Sequence, residues 1–225
     1  MTVSVSLSHD LQGALAVPER TPAPGLIVLM EWWGLNDDIR ALCQRFASEG
    51  FLALAPDLYH GEVTTEARRA YELSDALRTM DAVSDVALAR DFLVADPRCN
   101  GRVAVTGFCL GGAVTLAAAC NLSDLAAAVP FYGIPKAEHA DYARVTAPIQ
   151  AHFGAADPLI AKERAESVRE QLLAAGKSVE LHLYDAGHAF MRAGDPQAYH
   201  QPSATLAWRR SLDFLRRHTA MASVN

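Results

Sequence analysis

Three residues of this chain have the types, surroundings and order that nucleophilic catalysis requires. Cys109 stands in Gly107-Phe108-Cys109-Leu110-Gly111-Gly112, between an apolar run that reads as a strand (102–106) and a small-residue stretch that reads as a helix (111–120). This is the cysteine form of a nucleophile elbow, a tight strand-to-helix turn that lifts the reacting side chain above the edge of a sheet. Side chains at 107 or 111 would collide with neighbouring backbone, and the nucleophile itself takes a strained conformation. A helix N-terminus favours the thiolate, and the amide of Leu110 is placed to donate to an oxyanion. A small buried cysteine beside packing glycines would give a similar string, but here the strand and the helix fall on the correct sides for an elbow.

Such a nucleophile needs a base, and the base needs an orienting acid, in the chain order nucleophile, acid, histidine. Asp157 follows the strand ending at Phe153, and His188 follows the strand ending at Tyr184. Both lie just past carboxyl ends of strands, the edge at which open α/β sheets collect ligands. Alone, Asp157 before Pro158 is an ordinary turn former and His188 a solvated loop residue; together with Cys109 they stand in triad order. Asp185 and Asp195 are near His188 in sequence but follow no separate strand, and His152 and His182 sit within strands, which leaves Asp157 as the expected orienter. No His-x-x-x-His, His-x-x-Glu or paired-Cys spacing occurs, so neither a metal nor a cofactor is expected.

The elements that must hold these residues alternate short apolar runs with helical periodicity, the pattern of a mainly parallel twisted sheet with helices on both faces. Val3, Val5 and Leu7 alternate as in a strand, with 13–17 as a hairpin partner, and 26–30 reads as a strand buried on both faces. Asn36 is the expected N-cap of a helix with Asp37 and Asp38 in its first turn, Ile39, Leu42 and Phe46 on its buried face and Gly50 past its end. Further strands are expected at 51–55, 127–132, 149–153 and 179–184. Helices are expected over 64–80 and 81–95, from about 161 to Gly176, and at the C-terminal end from a cap at Ser203.

The 225 residues fall between one domain and two; with no repeat or linker, one domain over 1–225 is the expectation. Apolar residues are 51% of the chain and charged ones 20%, which suits a large core and argues against disorder or a coiled coil. The net charge of −6 disfavours nucleic acid or an anionic membrane as partner. No apolar stretch reaches the ~20 residues of a membrane helix and no basic, signal-like N-terminus occurs, so the cytoplasm is expected. The four cysteines are too few for a disulfide scaffold.

Glu31-Trp32-Trp33-Gly34-Leu35-Asn36, Ala55-Pro56-Asp57-Leu58-Tyr59, the elbow, Phe131-Tyr132-Gly133 and Gly187-His188-Ala189-Phe190-Met191-Arg192 resemble the dienelactone hydrolase family of the α/β-hydrolase fold. The resemblance runs nearly the whole length and is specific, since most α/β-hydrolases have Ser where this chain has Cys109. It implies a Cys-Asp-His triad that opens an enol-lactone such as carboxymethylenebutenolide to a keto acid in catechol or chlorocatechol degradation. It also implies that Glu31 pairs with the resting thiol and takes its proton when substrate binds, and that the amide of Trp32 is the second oxyanion donor. Arg192 matches an arginine that grips the substrate carboxylate, Tyr132 a tyrosine of the same pocket, and Arg68, less well Arg69, with Tyr71 a helical Arg/Tyr pair whose spacing here is off by one. Ala189 replaces a small polar residue of the family, and Trp32 and Trp33 make the entrance bulkier, departures that bear on the substrate more than on the reaction. The partner expected is a small lactone or ester, for a monomer or small homo-oligomer. The alternatives are an esterase or thioesterase with little dienelactone activity, and a non-catalytic binding or redox protein built on a reactive Cys109.

Overall fold

In the computed structural model, which describes residues 1–220, eight strands form one sheet in the order β1-β2-β4-β3-β5-β6-β7-β8; 221–225, the end of the span expected to form one domain, lie outside the described residues. β1 (Thr2–Ser6) and β2 (Gln12–Ala16) form the expected hairpin, and β2 runs antiparallel to β4 (Leu52–Pro56). From β4 onward every pairing is parallel: β3 (Ala23–Leu29), β5 (Cys99–Phe108), β6 (Ala128–Phe131), β7 (Ile149–Gly154) and β8 (Val179–Tyr184). The central strands are apolar without alternation because both faces are covered; residues 26–30 and 51–55 are buried throughout.

On one face α1 (Asp37–Ser48) packs on α6 (Gln201–Thr219) through Phe46 and Trp208, whose rings are 4.4 Å apart. On the other lie α3 (Thr79–Ala95), α4 (Leu110–Asn121) and α5 (Lys162–Ala174). α1 starts as its sequence dictates: Asn36 Oδ1 accepts from the Ile39 amide at 3.2 Å, and Ile39, Cys43, Phe46 and Ala47 form the buried stripe. α5 gives way at Gly176, whose φ of +71° reverses the chain into β8 with nothing within 4 Å of where a Cβ would stand.

Several boundaries differ from the periodicity. The 64–80 pattern yields only α2 (Ala67–Ala76), because the Thr64 amide donates to Trp33 O at 3.1 Å and ties that residue into a loop, while Leu77 and Arg78 are extended before α3 begins at Thr79. β5 starts at Cys99 rather than 102, drawn into the sheet opposite Ala23. α6 begins at Gln201 with Pro202 in its first turn, so Ser203 is inside the helix and does not cap it; its hydroxyl instead pairs with His200 Nδ1 at 2.8 Å. Among the described residues no helix is long and apolar enough to cross a membrane.

Candidate active site

Five of the parallel strands, β3 and β5 to β8, deliver Glu31, Cys109, Tyr132, Asp157 and His188 just past their carboxyl ends. Cys109 is the cap of α4, with φ +54° and ψ −111°, a conformation L-residues take only under constraint. The constraint is visible in the backbone. The Cys109 amide donates to Phe131 O at 3.1 Å and the Gly111 amide to Met30 O at 3.0 Å, which clamps the elbow between β3 and β6. A Cβ on Gly107 would stand 2.2 Å from Gly111 O, and one on Gly112 2.2 Å from Phe131 O. Only glycine fits either place.

Cys109 Sγ lies 3.1 Å from His188 Nε2, and His188 Nδ1 donates to Asp157 Oδ2 at 2.8 Å. The other Asp157 oxygen accepts from the amides of Leu159 at 2.8 Å and Ile160 at 3.1 Å, so the carboxylate is fixed before it meets the imidazole. Burial raises the Asp157 pKa, but the His188 hydrogen bond and those amides outweigh it and the net shift is downward. Burial likewise opposes a charged His188, yet Asp157 and the Cys109 sulfur prevail and push the imidazole up to about 10. The arrangement therefore favours an imidazolium beside sulfur. Leu110 opens α4, so its amide has no partner within the helix, and the Trp32 amide is not engaged elsewhere among the described residues.

Glu31 is 5% exposed and does not pair with the resting thiol as the resemblance implied. Its Oε2 accepts from Arg192 Nη1 at 3.1 Å and its Oε1 from the Tyr132 hydroxyl at 3.3 Å, while the sulfur turns to His188. The reason is charge: a buried carboxylate is better satisfied by a guanidinium than by a thiol. Burial raises the Glu31 pKa in spite of Arg192. Arg192 also binds Asp195 and lies over the Trp33 ring, 5.5 Å from its centroid. Asp195, set aside above as an orienting acid, buttresses Arg192; the signal was its place three residues on, in the same loop.

Arg68 and Tyr71 are not brought to this cluster. The Arg68 side chain is 90% exposed and pairs with Glu72 one helical turn away, Arg69 binds Glu62 and Glu72, and Tyr71 is 63% exposed. α2 buries only Ala70 and turns these three residues to its open sides. Ala189, with φ +56°, is buried in the loop that carries His188. A cavity of about 180 Å³ lies between α1 and the 191–194 loop, with Ile39, Leu42, Phe108 and Met191 in its apolar lining and Glu31, Asn36, Asp38, Arg45, Tyr132 and Arg192 as its polar lining. Among the described residues no three His, Cys, Asp or Glu side chains are grouped to hold a metal ion.

Residues 11–219 match the dienelactone hydrolase family. The chain is 31% identical over 217 residues to Protein usf of Aquifex pyrophilus, covering 92% of this chain and 94% of that one. It is 33% identical over 235 residues to the carboxymethylenebutenolidase of Pseudomonas sp. (strain P51), covering 97% of each. A solved structure of a dienelactone hydrolase-like promiscuous phosphotriesterase from metagenomic libraries superposes with a TM-score of 0.85 at 25% identity, over 98% of both chains. With its family match spanning nearly the whole chain and relatives above 30% identity on the same α/β-hydrolase architecture, the protein belongs to the dienelactone hydrolase family and is a carboxylic ester hydrolase.

Proposed function

We propose that Cys109 is the nucleophile of a hydrolase that opens a small lactone or ester, with His188 as base and then acid and Asp157 as its orienter. The observation that carries this reading is the continuous chain of contacts from Cys109 Sγ through His188 to Asp157, set on a left-handed elbow. Sulfur adds to the carbonyl carbon, and the π electrons move to an oxygen held by the amides of Leu110 and Trp32. On collapse the C–O bond breaks, His188 gives its proton to the departing oxygen, and water repeats the sequence on the acyl-thiol to regenerate Cys109.

Arg192 makes a carboxylate-bearing lactone such as carboxymethylenebutenolide the leading substrate. An incoming carboxylate competes with Glu31 for the guanidinium, and a Glu31 that loses Arg192 becomes a stronger base in a buried place; with such a substrate Glu31 takes the thiol proton in place of His188, which then enters as the imidazolium that protonates the departing oxygen. A second reading, an esterase or thioesterase for neutral substrates, is favoured by the fact that Arg192 already carries two carboxylates, Glu31 and Asp195. Both readings require Cys109. Cys109→Ala is expected to abolish turnover of small activated esters and lactones with an unchanged urea unfolding midpoint, and undiminished turnover in that variant would end the proposal.

A further inference from the structure

Two residues that line the cavity beside α1 also border the proposed triad. Phe108 immediately precedes Cys109 in the chain, and the Tyr132 ring stands edge-on to His188 with ring centroids 5.1 Å apart. Both are buried, as is Glu31, so the cavity has its inner end at the reacting edge. From there it passes between Leu42 of α1 and Met191 to an exposed rim at Asp38 and Arg45. Its volume is about 180 Å³. An apolar cavity of roughly 150 Å³ takes up a benzene ring, so a ring or chain of about six carbons fits here.

The two arginines of this cavity are in opposite states. Arg192 is engaged by Glu31 and Asp195. The Arg45 guanidinium lies over the Trp208 ring, 3.7 Å from its centroid, and among the described residues it makes no hydrogen bond and no ion pair. Glu49, one helical turn on, is held by Arg216 Nη2 at 2.8 Å. Stacking uses a face of a guanidinium and leaves its fork of N–H donors at the edge, where a carboxylate is gripped through two hydrogen bonds. The ring also fixes the group before a ligand comes, which lowers the cost of ordering it on binding. Asp38, the acid of the rim, stands two helical turns earlier, roughly 10 Å along α1. It repels an anion at that end and leaves Arg45 as the place where a negative group settles.

We propose that this cavity selects the acyl part of the substrate: an ester whose acyl chain is apolar and ends in a carboxylate, with the chain between α1 and the 191–194 loop and the carboxylate on Arg45. The assignment rests on the reading of Cys109 as nucleophile, which puts the carbonyl at the inner end, beside Phe108 and Tyr132. It adds a second position at which an anion is read. A carboxylate close to the carbonyl has to compete with Glu31 for Arg192, whereas one at the far end of a chain meets a guanidinium that no acid holds.

p-Nitrophenyl hexanoate and the mono-p-nitrophenyl ester of hexanedioic acid share a chain length and differ in the terminal carboxylate. Arg45→Gln is expected to lower the ratio of kcat/KM for the diacid ester over the hexanoate about fivefold, the scale of an ion pair at a partly exposed rim. Arg45→Glu is expected to lower that ratio further, and Arg45→Lys to retain most of it. Added salt is expected to bring the native ratio toward that of Arg45→Gln. A role confined to packing on Trp208 would slow both esters alike and leave the ratio in place, which overturns the proposal. A ratio unchanged in Arg45→Glu beside an inactive Cys109→Ala overturns the carboxylate site and leaves Cys109 standing. Full turnover in Cys109→Ala removes both.

Discussion

Arg192 faces Glu31 and Asp195 together, so the charge at the mouth of the site is that of a single excess anion until something rearranges it. Burial opposes the guanidinium's charge, but Glu31 and Asp195 outweigh it and raise its pKa further; no working pH releases the pair by neutralising the arginine. A competing anion does, as does protonation of Glu31 on the acid side, where burial has raised its pKa. Charge-assisted hydrogen bonds contribute about 1.5–3 kcal/mol, so Arg192→Ala is expected to lower kcat/KM for a carboxylate-bearing lactone by about 10- to 100-fold and to leave neutral esters nearly unaffected. An equal loss on both would count for the neutral-ester reading. At this scale the contact of Cys109 with His188 and of His188 with Asp157 was legible in the sequence, since residue type, flanking strands and chain order all constrain the three residues. The partner of Glu31 was not: whether a carboxylate turns to sulfur or to a guanidinium depends on where a loop from 161 residues away arrives. Arg68 and Tyr71 show the converse, residues of suitable type on a helix whose rotation points them elsewhere.

The elements were legible to the extent that burial writes a pattern. β3 and β4 are continuous apolar runs, and the cap of α1 coincides with its sequence signal, while its buried stripe keeps Ile39 and Phe46 but takes Cys43 and Ala47 and leaves Leu42 half-buried. Edges were less so, because ends are set by tertiary hydrogen bonds such as that of Thr64 with Trp33, and by Tyr132, which at φ +36° leaves β6 to turn into the site. The junction of β5 with α4 is the element on which the proposed chemistry depends. Gly112→Ala would press a methyl against Phe131 O and Gly133 N, at 2.2 and 3.1 Å, all of it backbone with little room to yield. Overpacking typically costs about 1–3 kcal/mol and sometimes more; this substitution is expected at or above the upper end, read as a lowered urea midpoint. A midpoint equal to that of the native chain would show that the elbow has slack.

Over the whole molecule, one buried and one half-buried imidazole pull stability in opposite directions with pH. His152 accepts or donates to Tyr184, Gln150 and Ser211 at 2.7, 3.0 and 3.1 Å inside the sheet. Burial, then the charges of His182 and Arg210, hold its pKa below the usual 6.5. Below pH 6.5 the unfolded chain takes up a proton that folded His152 refuses, and stability falls as pH drops. His188 is shifted the other way: its contribution is complete below 6.5 and is lost as pH rises toward about 10. Glu31, raised by burial, offsets part of the acid-side loss. The urea midpoint is therefore expected to peak near pH 6.5 and to decline on both sides, with His152→Gln flattening the acid limb. A midpoint that keeps rising from pH 6.5 to 9 would contradict the assignment for His188.

The turn at Gly176 bears on how the protein can be put to use. Every residue of the proposed site lies past a carboxyl end of the sheet, whereas Gly176 joins α5 to the opposite, amino end of β8 with open space beside it. Exposed turns of this kind tolerate added chain. A fluorophore, affinity handle or surface anchor introduced after Gly176 would face away from the reacting edge, so an immobilised enzyme could present its catalytic rim to the solution.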